Sequence, residues 1–423
     1  MSTLNLNKET AKTLYDEMKL KYDNFASQNL NLNMARGKPC AKQLDVALGV
    51  LESLNARSEF EYSNGDDCRN YGMWDGLLEM KEIFSKMLDI PTSQIVLGNN
   101  SSLMLMFEVI SRAYSHGFLS CKAWCKLDKV KFLCPVPGYD RHFSITEYFG
   151  IEMINIPMDD NGPDMDMVED LVSKDDSIKG IWCVPKYSNP TGITYSDKVV
   201  KRFASLKPLA KDFLIMWDNA YCVHDLTDKT ENLLSIYDEC LKTNFENNMF
   251  IFASSSKISF PGAGVAAVAT GDMLLKDLKL HFTTQSIGPD KLNQLRHVLF
   301  LHDFDGVVNL MKEHRNILEP KFRKVCEILA KELDGTGFAN WNMPNGGYFV
   351  SVDVEDNCAK RVVELCKNAG VILTDAGATF PYGKDPKDSN IRVAPTFPPM
   401  NELEIAMDLF CVCVKLAIAE KYI

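Results

Sequence analysis

No stretch of this sequence keeps apolar residues together for the roughly 18 positions that a membrane-crossing helix needs. Positive charge is also short. Lys and Arg number 46 against 57 Asp and Glu, a net charge of -11. That balance argues against a nucleic-acid partner, whose phosphates demand a basic face. It leaves small anionic ligands open, because they respond to local charge. Cysteine is plentiful, at 13, but it lacks any disulfide-like or metal-like spacing. The closest pairs, Cys121/Cys125 and Cys411/Cys413, have no His or Cys partners in a metal pattern, so no metal site is expected. Cys134, Cys183 and Cys411 sit in apolar runs and read as small buried hydrophobes in a reducing compartment. The first residues, MSTLNLNKET, lack a charged-then-apolar signal pattern. The expectation is a cytoplasmic protein with no membrane contact.

Internal repeats and low-complexity linkers are absent as well, so the 423 residues divide most naturally into two ordinary domains. Residues 8–28 read as an amphipathic helix. From about 94 to 270, short apolar runs alternate with helical patterns. The runs are IVL (95–97), VKFLC (130–134), IKGIWCV (178–184), FLIMW (213–217), FIFA (250–253) and VAAVA (265–269). Several lack polar alternation, as strands covered on both faces do. With helices between them they predict an α/β fold with a mostly parallel sheet. After about residue 300 the texture changes. A helical stretch (306–334) precedes GGYFVSVDV, a helix near 357–369, the short strands VILT and NIRVA, and a last helix from about 401. This predicts a smaller α/β domain over 301–423, joined by an N-terminal segment over 1–48, with the large domain over 49–300.

Five of the large-domain runs end in polar clusters. IVL leads into Gly98-Asn99-Asn100-Ser101-Ser102, and KFLC into Pro135-Val136-Pro137-Gly138-Tyr139. IWCVP leads into Asn189-Pro190-Thr191-Gly192, LIMW into Asp218-Asn219-Ala220-Tyr221, and FIFA into three serines and Lys257. Ligands of doubly wound sheets bind beyond the carboxyl ends of the strands, so these clusters should converge. Gly98 to Ser102 would open a helix with free N–H groups, a phosphate cradle. An Asp after a buried strand is ionised only beside a cationic partner. A lysine on a protected loop captures carbonyls once its pKa falls. A phosphate, a ring cation and an aldehyde together describe pyridoxal 5′-phosphate (PLP).

The same residues carry a resemblance. NPTG at 189–192, Asp218-x-x-Tyr221, Ser254-x-Ser256-Lys257, Asn70-Tyr71-Gly72 with Gly76, and Ile391-Arg392-Val393 occur in the order found in fold-type-I, PLP-dependent aminotransferases of class I/II. Within these, the chain looks most like the aspartate aminotransferase branch that includes MocR-type aminotransferase domains. The resemblance runs from about residue 30 to the C-terminus. It implies fold type I, a large domain with a mostly parallel seven-stranded sheet sandwiched by helices plus a smaller α/β domain, and a homodimer with its active site at the subunit interface. That enzyme would move an amino group from an L-amino acid, aspartate as first choice, to a 2-oxo acid, 2-oxoglutarate as first choice, by a ping-pong Schiff-base mechanism.

The resemblance also implies roles. Lys257 would hold the cofactor aldehyde and shuttle the substrate proton. Asp218 would face the ring nitrogen, and Asn189 and Tyr221 the phenolic oxygen, with Tyr139 stacked on the ring. Asn100, Ser101, Ser102 and Ser254 would hold the phosphate, with Tyr71 reaching in from a second subunit, and Ser256 would also bind the cofactor. Arg392 would fork the substrate α-carboxylate, Gly37 would close over it, and Asn189 would flank it. Arg36 could meet a distal carboxylate, as could Lys291, Arg296 or His297. One departure is clear: Val265 stands where the family pattern has a phosphate-binding arginine, eight residues after the lysine. A β-eliminating lyase would use the same Lys and Asp, and a PLP-sensing module of a transcription regulator would need a basic winged helix that the residues before the match do not supply.

Overall fold

The structure, a computed structural model, describes residues 6–62 and 65–423; the N-terminal reading on Met1–Asn5 lies outside them. The main sheet is built from β1 (Ile95–Leu97), β2 (Lys131–Val136), β3 (Glu152–Asp159), β4 (Gly162–Pro163), β5 (Ile178–Cys183), β6 (Leu214–Asp218), β7 (Met249–Ser254) and β8 (Ala266–Thr270). Their order across the sheet is β1-β8-β7-β6-β5-β2-β3-β4. The pairs β7–β6, β6–β5, β5–β2 and β2–β3 are parallel, while β8 runs antiparallel to both its neighbours. Against the seven strands expected, the eighth is the two-residue β4, which folds back on β3.

Every residue of β5 and β6 is buried, which is why those runs are continuously apolar. Successive side chains point to opposite faces. Ile215 and Trp217 join one core with helices Leu78–Leu88 and α4 (Asp197–Ala204), while Leu214 and Met216 join the other with helix α2 (Ser102–His116). The sequence runs did not include β3, because it is only partly covered and its polar and apolar residues are mixed.

A third core gathers the two ends of the chain. Helix α1 (Lys8–Ala26) contributes Met18 and Tyr22, and the C-terminal helix α7 (Met400–Tyr422) contributes Phe410 and Cys413. Both pack with a three-stranded antiparallel sheet of β9 (Ala339–Trp341), β10 (Val350–Val354) and β11 (Asn390–Val393), β10 in the middle. Leu32–Asn33 pairs in parallel with Val371–Ile372, and helix α6 (Ala359–Asn368) covers the junction. The 30-residue helix α5 (Phe304–Leu333) belongs to two cores: Val307, Leu310 and Met311 pack with the main sheet, Phe322, Val325 and Leu329 with the third core. It bridges the two cores. Among the described residues no helix is long and apolar enough to cross a membrane.

Candidate active site

The carboxyl ends of β1, β2, β5, β6 and β7 open onto one cavity of about 560 Å³. Ser101 and Ser102 line it after β1, Tyr139 after β2, Asn189 after β5, Asp218 and Tyr221 at and after β6, and Ser254, Ser256 and Lys257 at and after β7. Arg36, Gly37 and Arg392 close the opposite wall. Two expected residues lie elsewhere in this chain. Asn100 is behind the wall, its carbonyl accepting from Ser256 Oγ at 2.8 Å. Tyr71 is 79% exposed and away from the cavity.

The serine cluster before Lys257 shapes the turn that presents it. Ser255 is buried; its N–H donates to Val265 O at 2.8 Å and its Oγ accepts from Val265 N–H at 2.9 Å. Ser259, also buried, shares a 2.7 Å hydrogen bond with His297. Val265 therefore braces the lysine turn through its backbone, while its side chain packs in the apolar core. Burial lowers the Lys257 amine from the ordinary ammonium range, opposed in part by the Asp218 carboxylate. The amine lies 4.9 Å from the centre of the Tyr221 ring. Burial, then the nearby Tyr139 and Asp218, keeps the Tyr221 phenol protonated.

Asp218 is buried at the end of β6. Its Oδ2 is 3.0 Å from His142 Nε2, and its Oδ1 is buried without a partner. His142 lies in the first turns of helix α3 (Asp140–Tyr148). It stacks on Trp182 with centroids 4.4 Å apart and planes at 11°. Trp182 Nε1 in turn donates to Thr146 Oγ1 at 2.8 Å. Sequence reasoning missed His142, whose only signal is its place three residues after Tyr139.

Arg392 on β11 donates through Nη1 to Asp140 Oδ1 at 2.8 Å and to Asn189 Oδ1 at 3.2 Å. Its Nε is buried without a partner, and its guanidinium lies 4.8 Å from the Phe349 ring. A side chain at Gly37 would come within 2.5 Å of Phe349 Cζ, so the bare backbone there is what lets the segment approach. Asp140, Arg141 and Lys38 also line the cavity and were not foreseen. Lys291 donates to Gly72 O at 3.0 Å, Arg296 to Asn293 Oδ1 at 2.7 Å, and His297 is buried. None of the three lines the cavity of its own chain.

A buried amine and a half-satisfied carboxylate at the carboxyl edge of a largely parallel sheet, with a guanidinium from a second sheet opposite, define the architecture of fold-type-I transferases. Residues 6–423 match the family described as aspartate amino-transferase, and the chain belongs to that family. It is 45% identical to the aspartate aminotransferase of Corynebacterium glutamicum over 426 residues, covering 100% of this chain and 98% of the relative. The crystal structure of an aspartate transaminase from that organism superposes with a TM-score of 0.96 at 44% identity, covering 99% of this chain and 100% of the other. An alpha-aminoadipate aminotransferase from Thermus thermophilus, complexed with N-(5′-phosphopyridoxyl)-L-leucine, shares the fold at 16% identity and a TM-score of 0.74, covering 92% and 93%.

Proposed function

We propose that this protein is a PLP-dependent aminotransferase that takes its amino group from L-aspartate and passes it to 2-oxoglutarate. The observation that carries the reading is the buried, unpartnered Oδ1 of Asp218 in the wall of the cavity that also holds the Lys257 amine. An orphaned carboxylate oxygen at such a site calls for a cationic or N–H partner. A protonated pyridine nitrogen supplies one, and a buried amine whose charged form is disfavoured by desolvation suits an aldehyde. When bound, the cofactor supplies an electron sink for the carbanion at the substrate α-carbon.

The rest is done by the chain. Asp218, steadied by His142, would hold the ring's positive charge. Lys257 holds the cofactor and carries the α-proton on its Nζ. Tyr221 and Asn189, which line the cavity, would donate to the phenolic oxygen, and Tyr139 would lie against the ring. Ser101, Ser102, Ser254 and Ser256, with the N–H groups opening α2, take the phosphate; Asn100 supports Ser256 from behind. Arg392 receives the α-carboxylate, a contact that planar guanidinium makes with two parallel bonds. Gly37 seals that end, and Arg36 stands ready for a side-chain carboxylate. A homodimer is part of the reading, since the exposed Tyr71 would complete the phosphate site of a partner. The free cysteines suit a reducing, cytoplasmic setting.

The test is a panel of amino acids in single half-reactions, watching the cofactor convert to its amine form. Aspartate should react best, and 2-oxoglutarate should restore the starting spectrum. Release of pyruvate and ammonia with no oxo-acid acceptor would instead make the protein a β-eliminating lyase.

A further inference from the structure

Beneath Lys257 runs a buried polar chain that the proposed chemistry does not use. Gln43, in the short helix Ala41–Asp45, is 0% exposed. Its Oε1 accepts from the Cys40 backbone N–H at 3.2 Å, and its Nε2 lies 2.9 Å from both Tyr348 Oη and His314 Nδ1. These contacts orient the amide. The Cys40 N–H can only donate, so the amide oxygen faces it and both Nε2 hydrogens point the other way. Tyr348 Oη accepts one of them and must send its own hydrogen elsewhere. The carbonyl of Lys257 lies 3.5 Å from it. His314 Nδ1 accepts the other hydrogen, so His314 is neutral with its proton on Nε2, as burial also favours.

The chain joins parts of the protein that are far apart in sequence. Gln43 follows Arg36, Gly37 and Lys38, which line the cavity wall. The dipeptide Tyr348-Phe349 lies between them and the lysine turn. Its Tyr side chain meets Gln43 and the Lys257 carbonyl, and its Phe side chain meets Gly37 and the Arg392 guanidinium. An apolar side chain at 43 would fill the same space, so packing alone does not call for an amide there. Its use lies in the direction of the hydrogen bonds.

We propose that Gln43 is a positioning residue for the reactive amine: through Tyr348 it couples the cavity-wall segment at 36–38 to the main chain of Lys257. The inference rests on the reading of Lys257 as the reacting amine. Loss of either link lets the lysine turn relax toward water, which relieves the desolvation of its amine. Asp218, Tyr221 and His224, the other titratable groups around the amine, stay in place.

The experiment uses full-length protein freed of cofactor. Lys257 is labelled with limiting acetic anhydride across a pH series and quantified by peptide mass spectrometry, for wild type, Gln43→Met, Tyr348→Phe and the double variant, with thermal melting of each. Both single variants should raise the pH midpoint of labelling by about half a unit to one unit, the size of one lost hydrogen bond. The double variant should shift no further than the larger single, because both act on one path. A merely structural role would lower the melting temperature and leave the midpoint where it was. Unchanged midpoints, or shifts that add in the double variant, overturn the proposal. If Gln43→Met fails to fold, Tyr348→Phe decides alone, since it removes one oxygen and keeps the buried ring. No cofactor or substrate enters this assay, so failure of the amino-transfer reading would show separately, in the half-reaction panel.

Discussion

His142 Nε2 meets one oxygen of Asp218 at 3.0 Å, and the other oxygen of that carboxylate is buried with nothing bound to it. One half of the carboxylate is thus held by the protein and the other half is left for a ligand. Asp218→Ala should therefore retain part of the cofactor affinity, through the phosphate contacts, yet slow the half-reaction by about 10²-fold or more, the usual loss when a preorganised charge is removed. His142→Asn should slow it less. Stopped-flow absorbance with saturating amino acid measures both, and an Asp218→Ala enzyme of wild-type speed would refute the role.

Asp140 places a carboxylate 2.8 Å from Arg392 Nη1, where a substrate carboxylate would bind. A resident anion competes with an incoming one. Asp140→Asn should lower KM for the amino acid by roughly threefold, a modest factor because Asp140 is partly exposed and its charge screened. Arg392→Lys should raise KM instead, since an ammonium cannot form the two-point fork. Steady-state kinetics at fixed oxo acid reads both, and an unchanged or higher KM in Asp140→Asn would contradict the competition.

Burial alone lowers the pKa of His314 from 6.5 to about 4. Between those values the unfolded chain binds a proton that the folded chain refuses, so stability falls as pH drops from about 6.5 toward 4. The group's share is at most about 3 kcal/mol. His314→Gln should flatten that part of the profile, measured as denaturant midpoints against pH. Identical slopes in variant and wild type would show that His314 titrates normally.

Tyr71 is the residue whose proposed role depends on a second subunit. Mixed dimers of Lys257→Ala and Tyr71→Ala chains, each nearly inactive alone, should regain activity, because one of the two sites then has both wild-type residues. Activity of the mixture no greater than the sum of the parts would place Tyr71 outside the site.

The strand-end clusters were legible because each begins where an apolar run stops, a boundary set by burial and visible in one dimension. Lys257, Asp218 and Asn189 stand at such boundaries, and the structure brings them to one cavity. What escaped depends on long-range meeting. His142 is an ordinary first-turn helix residue until Asp218 and Trp182 arrive from β6 and β5. Gln43, His314 and Tyr348 come from three distant segments, and no local pattern marks any of them. The strand β3 escaped for a different reason: partial cover removed the continuous apolar run that betrays its neighbours. The place of Val265 was visible, but not that its backbone braces the lysine turn against Ser255.

The central claim is that the amine of Lys257 is the group that takes the cofactor. Protein saturated with PLP should be reduced with borohydride, digested and mapped by mass spectrometry. The account predicts one pyridoxyl addition per chain, on Lys257, and none in Lys257→Ala. Addition on another lysine, or none on a chain that still transfers amino groups, would contradict it.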